Sequence, residues 1–248
     1  MTSRGVLTYC YGKSYEKFAY VLADTCRQQD IQLTIVSNNK DLLKHPDINL
    51  VYKEPKTLNI FEIEKYSYVL SPYDLTLKLD VDTLILGSVD NYFETAEHLN
   101  IVYGTPNNYC TTPSLENSSP YRIKEKEQGL PEVYSAALCF NKSPVSRDFF
   151  YKVKFLFENW FSLDVSKHLS PTTDTVMSLA WRLQDLPSVA SLKFTHFKEG
   201  LAYSSSSKKM IWYADGIILN GHKLDGIFHY YEKDFLEKHR ETIRCLLS

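Results

Sequence analysis

The stretch Lys78-Leu79-Asp80-Val81-Asp82-Thr83-Leu84-Ile85-Leu86 sets two carboxylates inside an otherwise apolar run. In extended chain, residues i and i+2 point to the same side, so Asp80 and Asp82 share a face. Carboxylates that close repel, and each raises the other's pKa unless a cation lies between them. Leu77, Leu79, Val81 and Leu84 surround them with apolar surface, so solvation alone is a poor explanation. A hard divalent ion, held by one or two carboxylates and completed by phosphate oxygens, fits the pattern. The competing reading is a polar turn after a strand.

Working outward, residues 75–79 (LTLKL) read as the strand that delivers Asp80. Residues 5–11 (GVLTYCY) form an earlier strand, broken by Gly12-Lys13-Ser14. Ser14 is placed to cap a helix from Tyr15, with Phe18, Val21, Leu22 and Cys26 on one face. Residues 31–36 (IQLTIV) make the next strand, so strand, helix and strand form a right-handed βαβ unit. Further strands are expected at 48–52, 101–104, 133–140, 192–196 and 226–231. Helices are expected at 60–70, from Asn91, at 147–163 with Phe157 and Phe161 inward, from a cap at Ser170-Pro171-Thr172-Thr173-Asp174 through Arg182, and at 233–247. Residues 105–129 are polar and aperiodic and read as a long functional loop, with Arg122, Lys124 and Lys126 solvated. His222 falls in a turn, and residues 204–209 form a Ser/Lys loop.

These elements predict an α/β fold, a mostly parallel sheet flanked by helices, over 248 residues as a single domain. The first half, residues 1–104, ends in the D-x-D segment, and residues 105–248 make the second half. With 28 Lys+Arg against 30 Asp+Glu the net charge is −2, which leaves no global positive field for nucleic acid. The 5 cysteines include no C-x-x-C pair, which excludes a zinc ribbon and disfavours a secreted disulfide framework. No apolar run approaches the ~18 residues of a membrane span, and the N-terminus lacks a signal-peptide core. The expectation is a cytoplasmic chain. There is no G-x-x-x-x-G-K-[ST], no G-x-G-x-x-G and no G-x-S-x-G, which argues against P-loop, dinucleotide-binding and triad-hydrolase chemistry.

The segment 78–86, followed by Val89-Asp90-Asn91-Tyr92-Phe93, resembles the D-x-D segment of glycosyltransferases with the GT-A (Rossmann-like) fold, above all the glycogenin-like and galactosyltransferase-like retaining families. Leu7-Thr8-Tyr9, with Tyr15 after the loop, is similar to the family's nucleotide-binding edge, where an aromatic ring stacks on uracil. Residues 134–141 (YSAALCFN) resemble the strand that lines the donor sugar, with Ser135 retained and Tyr134 and Ala136 in place of Asn and Gly. Thr173-Asp174-Thr175 sits where the family opens a helix near the reaction centre.

The resemblance implies a set of roles, with residues 1–104 as the nucleotide-binding half and residues 105–248 as the acceptor and sugar half. Asp80 and Asp82 hold Mn2+ or Mg2+, and Asp80 also holds the ribose. Thr8, Tyr9 and Tyr15 bind the nucleotide. Lys198 or Lys233 neutralises the departing phosphates. Ser135 and Asp174 face the sugar and the acceptor. A third metal ligand is expected near the C-terminus, with His229 favoured, His196 the alternative and His222 a third choice.

The implied activity is transfer of a sugar from a UDP-sugar to a hydroxyl group, with retention. Some phage-encoded sugar transferases look similar, which makes hydroxymethylated cytosine in duplex DNA one acceptor and the host cytoplasm one location. Glycans and lipid-linked sugars are the other acceptor classes. Two rival classes are a nucleotidyltransferase that makes NDP-sugars and a non-catalytic sugar-nucleotide-binding module. Gly12-Lys13-Ser14 is too short for the first rival's Gly-rich basic loop, and an intact D-x-D with Asp174 favours an enzyme over the second.

Overall fold

Parallel strands buried on both faces read as continuous apolar runs, and that is how the chain begins. In the computed structural model, which describes residues 2–54, 60–106, 120–187, 191–197, 210–213, 216–219, 222–230 and 233–247, β1 is Arg4–Tyr9, β2 is Gln32–Ser37 and β3 is Ile48–Tyr52. β4 (Leu75–Leu79) and β5 (Thr83–Ile85) flank the Asp80-Val81-Asp82 bend. β6 is Ile101–Pro106, β7 is Tyr134–Asn141 and β8 is Ser191–Phe197. β9 (Met210–Tyr213), β10 (Gly216–Leu219) and β11 (His222–Lys223) precede β12 (Ile227–Tyr230). Nine strands make the main sheet in the order β3-β2-β1-β4-β7-β6-β8-β12-β5. Only β7 and β5 run against the rest, so the sheet is mostly parallel, as expected.

The helices are α1 (Glu16–Gln28), α2 (Ser67–Leu70), α3 (Asp90–Leu99), α4 (Pro120–Glu127), α5 (Pro144–Asn159), α6 (Thr173–Leu183), α7 (Phe235–Lys238) and α8 (Arg240–Leu247). α1 buries Phe18, Ala19, Leu22, Ala23 and Cys26 at helical spacing. Gly5 is required at its place in β1, because a Cβ there would lie 2.4 Å from the Tyr73 ring. That ring is fixed by a 2.8 Å hydrogen bond between the Tyr73 hydroxyl and Thr34 Oγ1.

Several expectations change in the folded chain. Ser14 does not cap α1: Lys13–Tyr15 wind into a 3-10 turn after Gly12, at φ 90°, and Tyr15 becomes the N-cap without a side-chain bond. Residues 60–70 split into a 3-10 segment, Ile60–Tyr66, and α2. α5 starts three residues before Arg147, because Ser143 accepts from the Ser146 N–H and Pro144 suits the first turn. It ends at Asn159, and the 3-10 turn at Trp160–Ser162 buries Trp160 while turning Phe161 outward to 87% exposure. The C-terminal helix is interrupted at His239. His222 lies in a strand of a second sheet, ordered β11-β10-β9, not in a turn. The aperiodic loop reading fails over α4, whereas residues 107–119 and 204–209 lie outside the described residues.

Candidate active site

Strand direction gathers the carboxyl ends of β1, β4, β8 and β12 at one edge of the sheet, where open α/β sheets bind ligands. β7 and β5 run the other way and bring their amino ends, Tyr134-Ser135 and Thr83, to the same edge. β1 pairs with β4 through Leu7↔Lys78, so Thr8 and Tyr9 continue level with Leu79 and Asp80. β12 pairs with β5 through His229↔Thr83 and with β8 through His229↔His196. The final strand therefore carries His229 to the D-x-D bend across 147 residues of sequence.

Asp80, Asp82 and His229 each offer one ligand atom, and these atoms lie within 4.8 Å of one another. His229 Nε2 is 3.2 Å from Asp82 Oδ1 and 3.8 Å from Asp80 Oδ2. Burial alone would lower the His229 pKa, but the Asp82 and Asp80 carboxylates outweigh it and hold the imidazole above its ordinary value. Two carboxylate oxygens and one imidazole nitrogen form a donor set that fits a hard divalent cation with room for phosphate or water.

Behind Asp80 lies a lysine that sequence reasoning did not use. Lys78 is fully buried in β4, and its ammonium meets Asp80 Oδ1 at 2.9 Å, Glu64 Oε2 at 2.8 Å and the Ser135 carbonyl at 2.5 Å. Burial would strip its proton, yet Asp80 and Glu64 more than compensate, and the pKa stands well above the usual lysine value. A lysine amid alternating leucines in LTLKL was the available signal, since a charge in a doubly buried strand needs partners.

Ser135 joins this group to a second one. Its N–H donates to Asp174 Oδ1 at 2.8 Å, and Asp174 Oδ2 pairs with Arg122 Nη2 at 2.8 Å. Arg122 is only 3% exposed; it also pairs with Glu125 at 2.7 Å, donates to the Val133 carbonyl and covers the Tyr134 ring. The expectation of a solvated Arg122 is thus overturned: α4 turns it inward, where Asp174 and Glu125 compensate its burial. Lys124 and Lys126 on the same helix stay exposed. Asp174 sits in the first turn of α6, opened by Thr172 as N-cap, and both its oxygens are engaged.

The remaining predicted residues divide. Tyr15 and Lys233 come together, the Lys233 ammonium lying 5.4 Å from the centre of the Tyr15 ring. Tyr9 is half-buried and bonds Ser67 Oγ at 2.7 Å through its hydroxyl. Thr8 is fully buried, and its Oγ1 has no hydrogen-bond partner among the described residues. His196 pairs with His229 through the backbone; its side chain and Lys198 lie outside the described residues.

No family model and no curated protein matches the chain. Solved structures do. The galactosyltransferase LgtC in complex with donor and acceptor sugar analogues aligns at 12% identity with a TM-score of 0.61, covering 97% of this chain and 95% of that one. An active-site mutant of LgtC aligns at 14% identity and 0.59, covering 92% and 87%. The glycosyltransferase GlyE of Streptococcus pneumoniae TIGR4 aligns at 10% identity and 0.52, covering 78% of this chain and 45% of that one. The chain therefore has the fold of the GT-A glycosyltransferases, as the D-x-D segment implied.

Proposed function

We propose that this chain is a metal-dependent glycosyltransferase that moves a sugar from a UDP-sugar to a hydroxyl group, with retention. The observation that carries the reading is the convergence of Asp80, Asp82 and His229 at the ligand-binding edge of a GT-A sheet. A Mn2+ or Mg2+ ion bound there would stabilise negative charge on the leaving diphosphate. Tyr15 offers a ring for the base and Lys233, beside it, a cation for the phosphates. Ser135 at the start of β7 lines the sugar.

Asp174 has a different role from the one its position implies. With one oxygen on the Ser135 N–H and the other on Arg122, it orients the sugar-lining strand and is a poor base. In the transfer, the bond from the anomeric carbon to the diphosphate oxygen breaks and a bond to the acceptor oxygen forms. The acceptor proton passes to the departing diphosphate, so no side-chain base is required.

Calorimetric titration of UDP with and without Mn2+ tests the donor site. Mn2+-dependent binding supports the reading, and cation-independent binding overturns it. Incubating a UDP-sugar with hydroxymethylcytosine DNA, a free glycan and a lipid-linked sugar identifies the acceptor. A DNA acceptor requires a basic groove, for which Lys124 and Lys126 are the exposed lysines on α4. Release of pyrophosphate from sugar phosphate and UTP would point instead to the nucleotidyltransferase class, and binding without turnover to a non-catalytic module.

A further inference from the structure

We propose that Lys78 determines which divalent cation the Asp80–Asp82–His229 group accepts, an inference that rests on the metal reading above. The ammonium donates to Asp80 Oδ1 at 2.9 Å and to the Ser135 carbonyl at 2.5 Å, and it forms an ion pair with Glu64 Oε2 at 2.8 Å. The lysine side chain is fully buried and has no access to water, whereas the Asp80 side chain is 33% exposed. The Asp80 backbone is held as well, its N–H donating to the Ala136 carbonyl at 3.1 Å. Rotating the Asp80 carboxylate would break the contact to Lys78 inside the protein, where an unpaired charge is costly.

Asp80 therefore has one oxygen committed to Lys78 and presents the other, Oδ2, toward His229. It can donate to a cation through a single oxygen. Ca2+ gathers six to eight oxygens and often takes carboxylates through both of theirs, whereas Mg2+ requires near-octahedral geometry and retains several waters. A site restricted to one oxygen from Asp80 discriminates against the larger ion and favours Mn2+ or Mg2+. Lys78 is a specificity-determining residue that acts through Asp80 and does not itself touch the cation.

The test uses the full chain and reads cation binding alone. Mn2+ is titrated by electron paramagnetic resonance, and Ca2+ by competition against it, in the wild type, in Glu64→Gln and in Lys78→Met/Glu64→Leu. The double variant removes both buried charges together, which leaves no carboxylate stranded at Glu64. Its ratio of Ca2+ to Mn2+ affinity should rise by about tenfold or more, the scale on which residues behind the ligands tune metal sites. Glu64→Gln retains the lysine and should keep the wild-type ratio. If circular dichroism shows the double variant unfolded, Lys78→Gln replaces it, and the same direction of change is expected. An unchanged ratio in a folded variant overturns the role of Lys78. A wild type that binds neither cation overturns the metal reading itself.

Discussion

Arg122 on α4, almost out of contact with water, pairs across 52 residues of sequence and at 2.8 Å with the partly exposed Asp174 on α6. Glu125 closes the group from one side and takes a hydrogen bond from Thr175 Oγ1 at 2.6 Å. This arrangement ties the start of β7, through the Ser135 N–H, to α6 and α4. Removing one partner of such a buried group costs about 3–5 kcal/mol, because the others remain charged and unpaired. Arg122→Met should lower the melting temperature markedly and weaken UDP-sugar turnover. Arg122→Met/Glu125→Leu should recover part of the stability. Thermal melts of both variants check this, and equal melting temperatures for wild type and Arg122→Met would refute the coupling.

Asp82→Asn should eliminate cation-dependent UDP binding while preserving the fold. Asp82 repels Asp80 in the absence of a cation but attracts protonated His229 at 3.2 Å, so the variant's melting temperature should hold or rise where the imidazole is neutral and fall where it is protonated. Its cation affinity should drop by at least about tenfold. A variant that binds Mn2+ as the wild type does would rule out Asp82 as a ligand.

Cation binding should depend on pH. A metal takes neutral imidazole, whereas Asp82 and Asp80 hold the His229 pKa above its ordinary value, so binding displaces a proton. Below that pKa, cation affinity should fall by about tenfold for each pH unit. The metal-free protein follows the opposite trend. A raised folded-state pKa gives stability that is fully present below the unfolded value of about 6.5 and is lost as pH rises through the folded value. Mn2+ titrations from mildly acidic to mildly basic buffer, with melts of the metal-free protein alongside, measure both trends. A flat affinity profile would remove His229 from the ligand set.

The two tyrosines expected to stack on the base should behave differently. Tyr9 is engaged through its hydroxyl with Ser67, and Tyr9→Phe should cost about 0.5–1.5 kcal/mol of stability with UDP affinity unchanged. Tyr15→Ala should weaken UDP by about 1–3 kcal/mol, the usual worth of stacking a base on an aromatic ring. Calorimetry on both variants distinguishes them, and a larger loss of UDP binding in Tyr9→Phe would reverse the assignment.

The period-2 and 3.6-residue patterns made the βαβ start and the bounds of β3 and β4 legible in the sequence alone, and the capping residues 170–174 announced the helix that ends near Arg182. The D-x-D segment pointed to the GT-A fold. These signals are local: they report which face of an element is buried, and burial is a property neighbouring residues share. What the sequence left open was which charges would be enclosed together. Arg122 stood in a polar stretch and read as solvated, and Lys78 passed as one residue of an apolar strand. The sequence held three candidates, His229, His196 and His222; the three-residue cluster among the described residues contains His229, and the side chains of the other two lie outside them. A buried charge is stable only if an opposite charge or hydrogen-bond partner meets it within about 3 Å, and such partners come from anywhere along the chain. Glu64 reaches Lys78 across 14 residues, Arg122 reaches Asp174 across 52 and His229 reaches Asp82 across 147. Those distances in sequence are closed only by the order and direction of the strands, which is why the tertiary structure alone decided them.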